Sequence, residues 1–262
     1  MRSGYDPTRR NRKIGTADQG FRADNAMVIP ESWHDDRVFY ERLADPKVVT
    51  REWHARTFTF LVEPTRADCA HACSIDDVMS VLQLLSPADR LLVRTFIFRQ
   101  PSRKQQILAS VWGRMVYCAN LGSYRGVAVY LEAQEIAEPL RWSTSLKPSE
   151  MQELDRLRDD GHTIQRTGRQ IEIHSTLDSV RATQLFRTLP HEIGHYVHYR
   201  QALDAGVDHW ARSTDEKEAF AHRYAGRVLE PARDAKRIPF PRILDRRSLA
   251  RDDLKPSWFG VR

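Results

Sequence analysis

The sequence predicts an α+β fold, a small mixed or antiparallel sheet packed against helices, and two features of the 262-residue chain carry that expectation. Residues 91–98, 111–119 and 127–131 are three successive runs rich in β-branched, leucine and aromatic residues, each of strand length and separated by polar segments. Residues 185–229 instead repeat apolar side chains every three or four positions and contain helix-capping residues.

Taken in order, residues 1–66 are polar and proline-punctuated, and are expected to form an N-terminal extension, partly disordered or wrapped around the domain. A helix is expected over 74–85, because Ser74 and Asp77 have capping-box spacing and Pro87 closes the segment. The three strands follow, divided by the polar stretch 100–106 and the loop 120–126. A second helix is expected over 150–160, preceded by Ser149 and ended by Gly161. Residues 169–174 alternate polar and apolar side chains as an edge strand would. Either this segment or 127–131 is expected to form a sheet edge beside a cleft, where an extended peptide could add as a further strand. Two helices then follow, the second from Ser213 to about Leu229. Residues 233–262 are expected to be a basic tail, leaving 67–232 as the domain proper.

The first of these two helices contains His191-Glu192-Ile193-Gly194-His195, an H-E-x-x-H motif. Positions i and i+4 of a helix lie on one face about 6 Å apart, so both rings can offer a nitrogen to one ion. Neutral imidazole is a preferred ligand of Zn²⁺. Glu192 projects roughly 100° round the helix, beside the ion, where a general base acting on water must stand. Leu185, Leu189, Ile193 and Val197 form an apolar stripe on another face. Gly194 costs about 1 kcal/mol relative to alanine in a helix, so a close approach of backbone or ligand is expected there. Pro190 lacks a backbone donor; the helix either starts near Thr188, which can cap it, or runs from about Asp178 with a kink.

Catalytic zinc usually takes three protein ligands and keeps one position for water, so a third donor is expected from elsewhere. Ser213 and Glu216 have capping-box spacing, which would occupy Glu216 and leave Glu218 as the free carboxylate, with Glu216 as the alternative. Glu218, His222, Ala225 and Leu229 share one helix face, with Phe220, Tyr224 and Val228 as the neighbouring apolar row. The H-E-x-x-H motif followed 23 residues later by Glu218-Ala219-Phe220-Ala221 resembles the gluzincin branch of the zincin metallopeptidases. The continuation from Tyr224 to Pro231 is similar to a segment of small ImmA/IrrE-like peptidases, so the resemblance covers residues 191–231. The third histidine of metzincins is absent. The resemblance implies a zincin-like fold in which His191, His195 and Glu218 hold zinc and Glu192 is the base. It also implies hydrolysis of peptide bonds in a protein or peptide substrate, of the selective, regulatory kind.

Other groups stand near this constellation. His222 could donate to an oxyanion or orient Glu218, with Tyr196, Tyr199, Tyr224 and His209 as rivals. His198 lies about 10 Å further along the helix than His191, too far to share the ion. Cys69-Ala70-His71-Ala72-Cys73 offers three potential ligands without a spaced fourth. No serine or cysteine stands in a recognisable nucleophile motif. Three cysteines with no close-spaced framework fit a reducing compartment. No run of 18 apolar residues and no apolar signal region is present, so a cytoplasmic protein without membrane contact is expected. The net charge of +6 is concentrated at the ends: residues 1–13 hold five basic side chains and one acid, and 233–262 hold nine and four. The alternative function is therefore a non-catalytic zincin-like domain binding a protein or nucleic acid through those ends, although no nucleic-acid motif accompanies them.

Overall fold

The computed structural model describes residues 38, 40–109, 111–122 and 124–261. The chain divides into two units, Met1–Val38 and Phe39–Arg262, and every described element belongs to the second. The expectation for residues 1–37 lies outside the described residues. Along the second unit run β1 (Lys47–Trp53), β2 (Arg56–Val62), β3 (Cys69–Ala70), α1 (Ile75–Leu82), β4 (Thr95–Arg99), α2 (Arg103–Ala109), β5 (Gly113–Asn120) and β6 (Arg125–Glu132). Then come β7 (Gln134–Glu135), β8 (Leu140–Ser143), α3 (Pro148–Asp159), β9 (Thr163–Thr167), β10 (Gln170–His174), α4 (Leu177–Thr183), α5 (Leu189–Asp204), α6 (Thr214–Asp234) and α7 (Arg246–Arg251).

The fold is α+β, as expected. Its centre is a five-stranded mixed sheet in the order β1-β2-β4-β6-β5, with β4 parallel to both neighbours and the outer pairs antiparallel. Burial of both faces explains the continuous apolar runs, since successive side chains point to opposite sides. Phe58, Phe60, Val62, Phe96, Phe98, Val129 and Leu131 join one core with α1 and the long helices, including Leu185, Leu189, Ile193 and Val197. The intervening Leu61, Ile97, Ala128 and Tyr130 form a second core on the other face. Ser74 and Asp77 exchange reciprocal hydrogen bonds at the start of α1, as their spacing implies.

Several expectations are corrected. The extension does not reach Arg66: β1 and β2 are integral to the sheet, and Phe58, Phe60 and Val62 are fully buried. Their turn is made by His54 and Ala55 at φ 49° and 54°, a geometry that usually announces itself through Asn-Gly. The strand expected from residue 91 starts at Thr95, because Asp89–Leu91 forms a 3-10 turn. Within the polar stretch after residue 100, Arg103–Ala109 is a helix. Neither segment proposed as the sheet edge is one. β10 is the middle strand of a separate antiparallel sheet, β8-β10-β9, and β6 lies between β4 and β5. The alternation of β10 reflects burial of Ile171 and Ile173 against Leu154 and Leu157 of α3. The main sheet's edges are β1 and β5. Residues 233–261 are no tail either: Ile238, Leu249, Leu254, Trp258 and Phe259 belong to the main core. Among the described residues no helix is long and apolar enough to cross a membrane.

Candidate metal centre

The H-E-x-x-H segment sits on α5, which continues from α4 through a π-helical turn, Gln184–Thr188. Thr188 has helical φ and ψ and makes no side-chain cap, so the start near Thr188 is ruled out and the longer helix stands. Pro190 offers no donor to the Phe186 carbonyl one turn earlier, and Arg233 of α6 donates to that oxygen instead at 3.3 Å. The π turn thus occurs where the ordinary ladder is interrupted.

Gly194 is where α6 crosses α5. A Cβ there would lie 3.0 Å from Tyr224 Cδ1 and 3.1 Å from the Cα of Ala221, so the helices approach closely only because residue 194 has no side chain. At the start of α6, the Ser213 hydroxyl accepts from the Glu216 amide. The reciprocal half of the expected capping box is replaced by an ion pair, in which Glu216 binds Arg212. That engagement turns Glu216 away from the alternative role of ligand and leaves Glu218 facing α5.

His191 Nε2 and His195 Nε2 lie 3.1 Å apart. Glu218 completes a triangle, with Oε2 at 3.2 Å from His191 Nε2 and Oε1 at 3.4 Å from His195 Nε2. Zinc–nitrogen and zinc–oxygen bonds of about 2.0–2.1 Å in tetrahedral geometry require ligand atoms about 3.3 Å apart. The nitrogen pair lies close to that edge, and each ring meets a different oxygen of the Glu218 carboxylate at a similar distance, so the carboxylate faces both rings at once. Among the described residues, these three form the group able to hold a metal ion. Burial and the neighbouring His191 push the His195 pKa down to about 4, so near neutrality it is the neutral imidazole that a metal requires. A hydrogen bond with His191 holds the Glu218 carboxyl below its usual range, so it is ionised. The two imidazole side chains are only 13 % exposed and Glu218 47 %, so the cluster opens to solvent on the carboxylate side.

Glu192 stands apart from this triangle. Its Oε2 accepts from the backbone N–H of Met115 at 2.7 Å, and Met115 belongs to the edge strand β5. Burial pushes its carboxyl pKa up, with His191 and the Met115 amide opposing. Glu192 thus stands within electrostatic reach of His191 and Glu218, with one carboxylate oxygen bound to the sheet.

The remaining candidates separate by position. The His222 ring lies 4.4 Å from the His191 ring, on the exposed side of α6, and stays a neighbour of the cluster. Tyr224 turns into the core, where its hydroxyl donates to Asp89, and so leaves the set of oxyanion donors. His198 stacks on Phe220 at 4.5 Å, one row away from the ligands. Tyr196, Tyr199 and His209 belong to an aromatic cluster around Tyr117 of β5. The Cys69-His71-Cys73 segment does not converge on an ion: His71 Nε2 contacts the Glu63 carbonyl, Cys73 faces Gln184 and Cys69 faces Arg66. Two contributors, the Met115 amide and Tyr117, have no sequence motif; only the strand pattern over 111–119 hinted at their placement. Compared with protein-family models, curated proteins and solved structures, the chain finds no match.

Proposed function

We propose that the protein is a zinc-dependent metallopeptidase that hydrolyses peptide bonds of a protein substrate. One observation supports this reading above the rest: two imidazole nitrogens 3.1 Å apart each meet an oxygen of the half-exposed Glu218 carboxylate at 3.2 and 3.4 Å. His191, His195 and Glu218 would hold the ion. A bound zinc supplies Lewis acidity, which activates water and polarises a carbonyl.

The chain's own groups do the rest. Glu192, anchored through one oxygen by Met115, keeps its other oxygen to take the proton of the attacking water and pass it to the leaving nitrogen. Its raised pKa brings proton affinity closer to working pH, which favours both halves of that transfer. His222, packed on His191, is in reach to donate to the carbonyl oxygen or to steady Glu218. β5 is an edge of the main sheet, and beyond the Met115 amide that Glu192 holds, an extended substrate would lie alongside it. All three cysteines are free thiols, which fits a cytoplasmic location.

The test compares Glu192→Gln with wild type. The variant should fold and retain zinc but lose hydrolysis, so new protein termini should appear only in cells expressing the wild type. Wild-type turnover by Glu192→Gln would refute the assignment.

A further inference from the structure

We propose that the aromatic cluster beside the candidate metal centre is a specificity platform that receives a large apolar or aromatic side chain of the peptide substrate. The inference rests on the metallopeptidase reading and names what that enzyme would select.

The cluster is continuous with the site through two elements. On β5, Tyr117 comes two residues after Met115, whose amide holds Glu192. On α5, Tyr196 directly follows the ligand His195. From Tyr117 the rings extend outward: Tyr199 at 5.2 Å, Trp210 at 5.3 Å and Tyr196 at 6.2 Å. The Tyr199 and Trp210 rings meet Tyr117 edge to face and the Tyr196 ring is tilted, all within the separations at which aromatic rings attract, so the platform is preorganised. His209 lies underneath, 3 % exposed, with its ring at 90° to Tyr199 and 84° to Trp210. Among the described residues neither of its nitrogens has a hydrogen-bond partner, and its contacts are with the rings around it.

The outer surface is open. Trp210 is 63 % exposed, although tryptophan is on average highly buried. Leu203, in the last turn of α5, and Val207, between α5 and Trp210, are 54 % and 45 % exposed. Lys217 holds its ammonium 5.9 Å above the Trp210 ring and immediately precedes the ligand Glu218. The Met115 amide is held by Glu192 and Tyr117 lies in the irregular stretch of β5 between Val116 and Ala119, so a substrate running alongside β5 would meet the platform through its side chains and not through a continuous ladder. Rigid tyrosine and tryptophan faces supply contact area with few torsions to freeze, which suits recognition of one apolar group. The field of Glu192 and Glu218 adds to the burial that holds the Tyr117 pKa at about 12, so its phenol stays an uncharged donor.

The experiment uses zinc-loaded, full-length Glu192→Gln protein and fluorescein-labelled decapeptides of alanine, serine and glycine carrying one phenylalanine walked through every position. The best phenylalanine peptide should bind about tenfold tighter than its alanine counterpart, the size expected for burying an aromatic ring against rings. Trp210→Ala, a change at an exposed side chain, should remove most of that ratio, and Trp210→Phe should keep part of it. Equal binding of phenylalanine and alanine peptides, or a ratio that survives Trp210→Ala and Tyr199→Ala, overturns the platform. So does a Trp210→Ala effect confined to self-association or to lipid-vesicle binding, because the cluster would then cover a second copy or a membrane. Hydrolysis by the wild type is a separate readout: phenylalanine discrimination without hydrolysis refutes the peptidase reading alone, and hydrolysis without discrimination refutes the platform alone.

Discussion

Replacing Gly194 by alanine tests whether the crossing of α5 and α6 sets the metal geometry. The added Cβ would stand 3.0 Å from Tyr224 Cδ1, 3.1 Å from Ala221 Cα and 3.2 Å from Tyr224 Cβ, all below the 3.4 Å at which ordinary contact begins. A tyrosine ring can tilt, but Ala221 Cα is main chain, so relief requires α6 to move by a few tenths of an ångström. Alanine gains about 1 kcal/mol of helix propensity, and overpacking costs about 1–3 kcal/mol. The net loss is about 0–2 kcal/mol, a fall in Tm of up to about 8 °C for a domain of this size. On the proposed assignment of the site, the larger effect falls on zinc. Glu218 lies three residues before Ala221 on the same helix, and zinc sites tolerate distance changes of about 0.2 Å. Zinc affinity should therefore fall by about 10–100-fold, the range seen when a ligand's support is lost. A chelator-competition titration measures the affinity and calorimetry the Tm. At Gly226, also on α6, an added Cβ meets only the flexible Glu230 carboxylate at 3.3 Å, so Gly226→Ala should keep zinc affinity and gain up to about 1 kcal/mol. A Gly194→Ala protein that binds zinc within twofold of wild type would refute the reasoning.

Three other outcomes are expected. His191→Ala, His195→Ala and Glu218→Ala should each lower bound metal, whereas Glu216→Ala should not, because Glu216 is engaged by Arg212; metal analysis of the purified variants decides. Arg181→Met should cost about 3–5 kcal/mol in urea unfolding, because Asp77, wholly buried and held by Arg181 at 2.8 and 3.0 Å, would keep an uncompensated charge. The double variant with Asp77→Asn should recover part of that loss. Burial pushes His71 and His162 from 6.5 to about 4, so between those values the unfolded chain binds protons that the folded chain refuses. Each histidine then makes stability fall as pH drops through this window, by up to about 1.4 kcal/mol per pH unit, and contributes no slope above it. His162→Gln should lose its share of that slope in melts from pH 7 to 4.5, and an unchanged slope would contradict the assignment.

What could be read from the sequence was local. The i, i+4 histidines, the Ser213 and Ser74 caps, the stripe from Leu185 to Val197 and the close approach at Gly194 each depend on spacings within a turn or two of helix. What could not be read depended on sheet order or on irregular spacing. The partner of Glu192 is a backbone amide 77 residues away, and a backbone group leaves no mark on composition. Its availability follows from β5 being an edge, which alternation alone misassigned to β10 and β6. The basic count of the last thirty residues hid Ile238, Leu249, Leu254, Trp258 and Phe259, which follow no helical or strand period and yet fill the core. Tyr224 sits in the row next to Glu218 on α6, but that small angular difference turns its hydroxyl to Asp89.

The end of α6 and the segment after it also restrain the helix that carries His191 and His195. Asp77 of α1 accepts from Arg181 of α4 and from the Ile243 amide, while Arg181 also donates to the carbonyls of Phe240 and Pro241. Arg233 reaches the Phe186 carbonyl that Pro190 leaves free. These contacts fix the ligand helix just before His191, the Gly194 crossing fixes it between the histidines, and Met115 fixes Glu192 from the sheet. A helix restrained at three points within about three turns cannot rotate its histidines independently of the strand and of α6. Residues 233–261 are on this account part of the scaffold that positions His191, His195 and Glu218, and two of their basic side chains, Arg233 and Arg242, bond main-chain carbonyls of the domain.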